Sequence, residues 1–223
     1  MEVNVATKDG NAQPAVDRAY SYTKSGVIDG RIPSGEWITE GDVAQALSIS
    51  RTPVREAFLR LQAEGFLRLY PRRGAIVVPM TSHDVDAIME LRELAEIFAA
   101  RKAVQGPKER LDQLAGKLRA LIDDQRRARA DGQVSRFVEI DRTLHSAIVH
   151  AGGNYLLDEL YASLRDKQRR LGVEGLRRDP ARLTSIIEEH AQLVDHLHGG
   201  DLAAYEDTLR RHLDSSRRAL GLF

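Results

Sequence analysis

The chain is 223 residues long, and at about 100–200 residues per domain two domains are the better expectation for a helix-rich chain. Apolar residues make up 42% of it, which excludes a disordered chain and supplies an ample core. There are 0 cysteines, so disulfides, thiolate zinc sites, iron–sulfur clusters and a cysteine nucleophile are excluded. Basic and acidic side chains balance at 33 each, which rules out a uniformly basic coat for nucleic acid but not a local patch. Such a patch runs from Arg51 to Arg73, where six arginines stand against Glu56 and Glu64. The longest apolar stretch, Ala75 to Met80 around one proline, is far too short to cross a bilayer. The polar start MEVNVATKDGNAQ lacks the apolar run of a secretion signal. These features fit a cytoplasmic protein with no membrane part.

In chain order, residues 13–29 read as a helix through Ala15, Ala19, Tyr22 and Val27, ending near Gly30. Pro33-Ser34-Gly35 is a turn. Thr39 opens a short helix to Leu47, with Asp42 three residues on in the manner of a capping box. The next helix runs from Arg51 to Glu64 with Ser50 as its expected N-cap, Pro53 in its first turn and Gly65 at its end. Val54, Ala57, Phe58 and Leu61 form its apolar stripe. The period then changes: Phe66 to Tyr70 and Ala75 to Pro79 are short β-rich runs joined by Pro71-Arg72-Arg73-Gly74. Three helices followed by a hairpin make the order of a winged helix-turn-helix. Met80 to Ser82 read as a linker, with Ser82 as a candidate cap.

From His83 no strand pattern recurs. Six helices are expected, at 83–105, 107–131, 134–150, 154–173, 180–198 and 201–220, broken at Gly106-Pro107, Asp131-Gly132, Gly152-Gly153-Asn154, Gly172 to Pro180 and Gly199-Gly200-Asp201. Long amphipathic helices with short connections predict an antiparallel bundle. The fold class expected is therefore mostly α: a DNA-binding winged helix-turn-helix over residues 1–80, with 1–12 as a disordered arm, and an all-α bundle over 83–223.

Arg51, Thr52 and Arg55 fall at the N-terminal end of the third helix, where a recognition helix meets the major groove. Arginine can pair with guanine O6 and N7, and the hairpin turn with Arg72, Arg73 and Gly74 can lie over the adjacent backbone. The alternative is a solvated helix face whose arginines pair with Glu56 and Glu64. From Thr39 to Gly74 the sequence resembles the GntR family of bacterial transcription regulators, whose signature reads like SRTPVREAL…L…EG…PRRGA. This chain has SRTPVREAFLRLQAEGFLRLYPRRGAIV, with Phe58 for the usual leucine. The family pattern LSERDLA in the second helix becomes ITEGDVA, with Gly41 in place of an arginine that contacts DNA in family members. The resemblance implies DNA contacts at Ser50, Arg51, Thr52, Arg55 and Gly74 and, from Gly41, a weaker contact or an altered operator preference.

In the bundle, Phe137, Ile140, Leu144 and Ile148 define a stripe that includes Asp141 and His145, four residues apart on one face. His190 lies within the stripe of Ile186, Ile187, Leu193, Val194 and Leu197, and His212 within that of Leu202, Tyr205, Leu209 and Leu213. Three helices thus aim metal-binding side chains inward, and a buried carboxylate needs a partner. Three imidazoles and a carboxylate suit a divalent ion such as zinc, nickel or manganese; an Asp–His hydrogen bond without metal is the alternative. This half resembles the FCD ligand-binding domain of FadR-like regulators, many of which carry D-x3-H, a second His and a third His one helix later. Six helices resemble the shorter, VanR-like branch. His83, His150, His196 and His198 match no position of that pattern. Arg92, on the flank of the stripe Ile88, Leu91, Ala95 and Phe98, is a candidate for an effector carboxylate; the competing role is a salt bridge to Glu93 or Glu96.

The function these readings predict is a homodimeric regulator of a palindromic double-stranded DNA operator, controlled by a small organic acid bound near the metal. Two other readings compete. A metal-dependent helical enzyme with an accessory nucleic-acid domain would need catalytic groups, yet there is no HExxH and no general base beyond Glu188 or Glu189. A structural nucleic-acid-binding dimer would need no ligand at all.

Overall fold

The computed structural model describes residues 13–221; the expectation for residues 1–12 lies outside them. The chain divides into two compact units. One takes the described residues up to Val27 together with Arg31–Pro79, the other Ile28–Gly30 and the described residues from Met80.

The first unit contains α1 (Ala15–Ile28), β1 (Trp37–Ile38), α2 (Glu40–Leu47), α3 (Arg51–Ala63), β2 (Leu67–Tyr70) and β3 (Gly74–Val77). The capping box at Thr39 forms as the spacing predicts: the Thr39 hydroxyl accepts from the Asp42 N–H, and the Asp42 carboxylate accepts from the Thr39 N–H at 2.9 Å. Ser50 takes the N-cap position of α3, but its side chain makes no capping hydrogen bond. α3 ends in a Schellman turn: Gly65 sits at φ +79°, and the Phe66 N–H reaches back to the Leu61 carbonyl at 2.9 Å. Val54, Ala57, Phe58 and Leu61 are buried, as their spacing requires.

The expected hairpin is a three-stranded antiparallel sheet in the order β1-β3-β2. β1 pairs Trp37 with Ile76 and Ile38 with Ala75. Two residues carry too little pattern to be read as a strand, and their pairing is set by β3. Gly74, at φ +96°, is where the strands meet most tightly: a Cβ there would lie 2.6 Å from the Ile38 carbonyl oxygen. The close approach this glycine permits is to its own sheet.

The second unit is helical throughout: α4 (Ser82–Val104), α5 (Lys108–Ala130), α6 (Val134–Ala151), α7 (Tyr155–Ser163), α8 (Arg165–Arg178), α9 (Arg182–Gly199) and α10 (Leu202–Ala219). Thr81, not Ser82, caps α4, because the reciprocal partner Asp84 stands three residues after Thr81. Among the described residues seven helices replace the six expected, so helix count no longer argues for a six-helix branch. The fourth expected helix is interrupted at Leu164, where the Ser163 hydroxyl bonds back to the Leu160 carbonyl at 2.6 Å, a contact that bends helices.

The stretch expected as a break at Gly172 is instead helical to Arg178. Gly172 serves packing: a Cβ there would lie 2.8 Å from Val138 Cγ1 on α6. Around this contact a single apolar core joins α4, α5, α6, α8, α9 and α10. α4 is rotated relative to expectation. Its buried face carries Val85, Ile88, Met89, Arg92, Ala95 and Glu96, while Leu94 and Phe98 are 70% and 44% exposed. The physical reason lies in the centre of the bundle, where Arg92 and Glu96 have partners.

Candidate functional site

In the first unit, Ser50, Arg51, Thr52, Arg55, Arg72 and Arg73 are all exposed. The basic segment sorts into two groups. Arg60 pairs with Asp17 at 2.8 Å, and Glu64 is taken by Lys24 at 2.7 Å, so these side chains tie α3 to α1. Arg51, Arg55, Arg72 and Arg73 form no ion pair among the described residues, and Glu56 and Glu64 do not neutralise them. Unpaired guanidinium groups at the start of a helix and at a hairpin tip are free to meet phosphates and base edges. Arg72 holds φ +63°, a conformation that turns the tip sharply. Gly41 leaves room beside Arg51: a Cβ at position 41 would stand 3.5 Å from Arg51 Nη2.

In the second unit, Asp141 and His145 on α6, His190 on α9 and His212 on α10 bring one ligand atom each to within 4.8 Å of one another. The three rings sit 4.9–5.1 Å apart, centroid to centroid. All three histidines are buried, and the Asp141 side chain is 23% exposed. Each Nδ1 faces an acceptor: Glu96 Oε2 at 2.6 Å for His145, Gln125 Oε1 at 2.8 Å for His190, and Glu189 Oε2 at 2.7 Å for His212. Those acceptors favour the Nδ1–H tautomer, in which each Nε2 presents a lone pair. The Nε2 atoms of His145 and His190 are nevertheless 3.2 Å apart, with Asp141 Oδ1 3.3 Å from the latter. Two bare lone pairs and a carboxylate converging on one point repel one another unless a cation lies between them. The donor set therefore fits a divalent metal: Asp141, His145, His190 and His212 would hold it, and Glu96, Gln125 and Glu189 would orient them.

The protonation states agree with that role. Burial pushes the His212 imidazole down to about 4 and lowers His190 as well, so both are neutral near pH 7, as metal ligation requires. Burial alone would raise the Asp141 carboxyl, but its polar surroundings, the His190 ring beside it and the Arg92 guanidinium among them, outweigh burial and hold it below its usual range.

Arg92 lies on the buried face rather than the flank. Its Nε pairs with Glu96 Oε1 at 3.0 Å, and the Tyr161 hydroxyl donates to the same oxygen at 2.8 Å. Glu93 pairs instead with Arg210. Arg92 Nη2 is buried without a hydrogen-bond partner, and the residue lines a cavity, partly open to solvent, that also borders Asp141, His145 and His212. Both roles weighed for Arg92 are thus compatible. Gln125 and Gln168 are functional candidates the sequence reading missed. Gln125 had a usable signal, since it continues the buried α5 spacing Leu111, Ala115, Leu118, Ile122. Gln168 had none.

Residues 15–77 match the bacterial regulatory proteins of the gntR family, and residues 87–215, more than half of the chain, match the FCD domain. The chain belongs to the GntR family, with an FCD domain after its winged helix. It is 28% identical over 193 residues to the "Probable D-xylose utilization operon transcriptional repressor" of Paenarthrobacter nicotinovorans, spanning 84% of this chain and 80% of that protein. It is 24% identical over 214 residues to the "HTH-type transcriptional repressor RspR" of Escherichia coli strain K12, spanning 95% and 91%. The solved structure of E. coli McbR/YncC shares its fold, with a TM-score of 0.69 at 24% identity over 94% of this chain and 98% of that one. This GntR-family protein is a DNA-binding transcription regulator and not an enzyme. No helix among its described residues is long and apolar enough to cross a membrane.

Proposed function

We propose that the protein is a cytoplasmic homodimer that binds a palindromic operator and releases or grips it according to a small organic acid held beside a divalent metal in the helical unit. The observation that carries the reading is the convergence of three Nε2 lone pairs and Asp141, with every Nδ1 already engaged. Zinc, nickel or manganese suits this donor set. Once bound, the metal supplies a positive centre with coordination positions open to a ligand's oxygens. Arg92 Nη2, buried and unpartnered on the same cavity, offers a charged donor to the acid.

The unpaired Arg51 and Arg55, with Thr52 and Ser50, support base and phosphate contacts from α3; Arg72, Arg73 and Gly74 support backbone contacts from the turn. A helix-turn-helix reads only a few base pairs, so specificity is gained by doubling. The exposed Leu94 and Phe98 on α4, and Tyr155, Leu156 and Leu160 on α7, are apolar side chains of the kind a second copy covers. The acid acts by binding one conformation of the dimer better than the other.

The test is elemental analysis of purified protein together with thermal unfolding in zinc, nickel and manganese. One equivalent of metal per chain is expected, with stabilisation of about 2.7 kcal/mol at a hundredfold excess over the dissociation constant. His190→Ala and His212→Ala should lose both. Protein without metal that gains no stability from any of the three ions would make the cluster a hydrogen-bonded core network.

A further inference from the structure

The cavity beside the metal cluster is rich in donors and poor in acceptors. Arg92 Nη2 and Gln168 Nε2 are buried without hydrogen-bond partners, and both residues line it. The carboxylate that lines it, Asp141, is the proposed metal ligand, and those behind the wall are already engaged: Glu96 by Arg92, His145 and Tyr161, and Glu189 by His212. Most of the remaining wall is apolar, with Phe137, Val138, Leu171, Leu176, Ile186 and Leu220 among its residues. A ligand hydroxyl buried there would find few acceptors, and each unmet hydroxyl carries a desolvation cost. An apolar ligand body would instead gain from the wall it displaces water from.

Charge narrows the choice further. Arg92 and Arg182 face or flank the cavity, Asp141, Glu96 and Glu189 belong to the cluster, and Arg142 is paired with Glu139 at 2.7 Å. With a dication added, these groups leave one net positive charge, which a single carboxylate neutralises.

We infer that the effector is a monocarboxylate with an apolar body, and that polyhydroxylated sugar acids are discriminated against. This rests on the reading of the site as one for a metal and an organic acid. The carboxylate meets the metal and Arg92 Nη2, Gln168 Nε2 donates to an ester, ether or carboxylate oxygen, and the body packs between Phe137, Leu176 and Ile186.

The test is calorimetric titration of the metal-loaded full chain with phenylacetate and 4-methylpentanoate against gluconate and xylonate, all monoanions at neutral pH. Binding of at least one apolar acid tenfold or more tighter than both sugar acids is expected, and Arg92→Gln should weaken it at least tenfold. Equal or tighter binding of gluconate or xylonate would overturn the inference while leaving an acid effector standing. If neither class binds to protein shown to carry metal, the acid-binding reading falls, and this inference with it.

Discussion

Two glycines three residues apart in α8 put the packing argument to a quantitative test. A Cβ at position 172 would lie 2.8 and 3.2 Å from the Val138 methyl carbons, whereas one at position 175 would meet Leu220 Cδ2 at 3.8 Å and Ala219 Cβ at 3.9 Å. Replacing either by alanine inside a helix gains about 0.5–1 kcal/mol of propensity. At position 175 nothing opposes that gain, so Gly175→Ala should stabilise the helical unit by up to about 1 kcal/mol. At position 172 the methyl must push α6 away, and overpacking of this kind costs about 1–3 kcal/mol. Propensity cancels in the comparison, so the two variants should differ by about 1–3 kcal/mol, with Gly172→Ala the less stable. Val138→Ala in the Gly172→Ala background removes the opposing methyls and should recover part of the loss, a coupling of about 0.5–3 kcal/mol. Urea unfolding followed by far-UV circular dichroism reads the helical unit, and the only tryptophan, Trp37 in the first unit, reports that unit separately. Equal midpoints for the two glycine variants, or no coupling between positions 138 and 172, would refute the close α6–α8 contact.

On DNA, Arg51→Ala or Arg55→Ala should cost about 1–3 kcal/mol where a bidentate base contact is lost, whereas Arg72→Ala and Arg73→Ala should weaken binding to all sequences and flatten its salt dependence; fluorescence anisotropy on operator and scrambled duplexes separates the two. Gly41→Arg restores the family pattern, and its Cβ would meet no atom closer than 3.5 Å, so the backbone should fold normally but the operator preference should change, which selection from a random DNA pool would read. Glu96→Ala leaves the buried Arg92 without its ion-pair partner and His145 without its acceptor, so it should destabilise the helical unit by about 3–5 kcal/mol and weaken metal binding by about 10–100-fold; unchanged metal affinity by chelator competition would remove Glu96 from the site. The Asp84 carboxyl is held below its ordinary value by hydrogen bonds from the Thr81 hydroxyl and backbone, so its contribution to capping α4 is complete above the ordinary carboxylate range and is lost as pH falls through the lowered value. A carboxyl titration by NMR should show Asp84 returning toward the ordinary range in Thr81→Ala, and an identical titration in both proteins would refute the cap.

The parts of the fold that were legible in the sequence are those where a local rule suffices. Thr39 with Asp42, and the run from Val54 to Leu61, specify helix start and buried face within one or two turns. What could not be read depends on contacts between distant segments. β1 exists because β3 offers it a register, and two residues have no periodicity of their own. Gly172 reads as punctuation until Val138 is placed against it. Thr81 and Ser82 are equally good caps in isolation, and only the reach of Asp84 decides between them.

The rotation of α4 joins the fold to the site. Apolar spacing alone points Leu91 and Phe98 inward with Arg92 at the edge, yet Arg92 and Glu96 are buried and Phe98 is half exposed. Hydrophobic burial favours the first arrangement by roughly 1.5–3 kcal/mol per large side chain fully buried. The observed one holds because Glu96 meets three donors at once, from Arg92, His145 and Tyr161, and charged hydrogen bonds in a dry interior are strong when fully satisfied. A helix that turns polar residues into a core and apolar residues outward does so at a cost that its buried hydrogen bonds must offset. On the inside the partner is the histidine cluster; on the outside, Leu94 and Phe98 are the residues that the proposed second copy would cover. The same rotation places the histidine cluster and the proposed dimer face on a single helix, so in the proposed dimer a ligand that pulled on Arg92 would be positioned to alter how two copies meet.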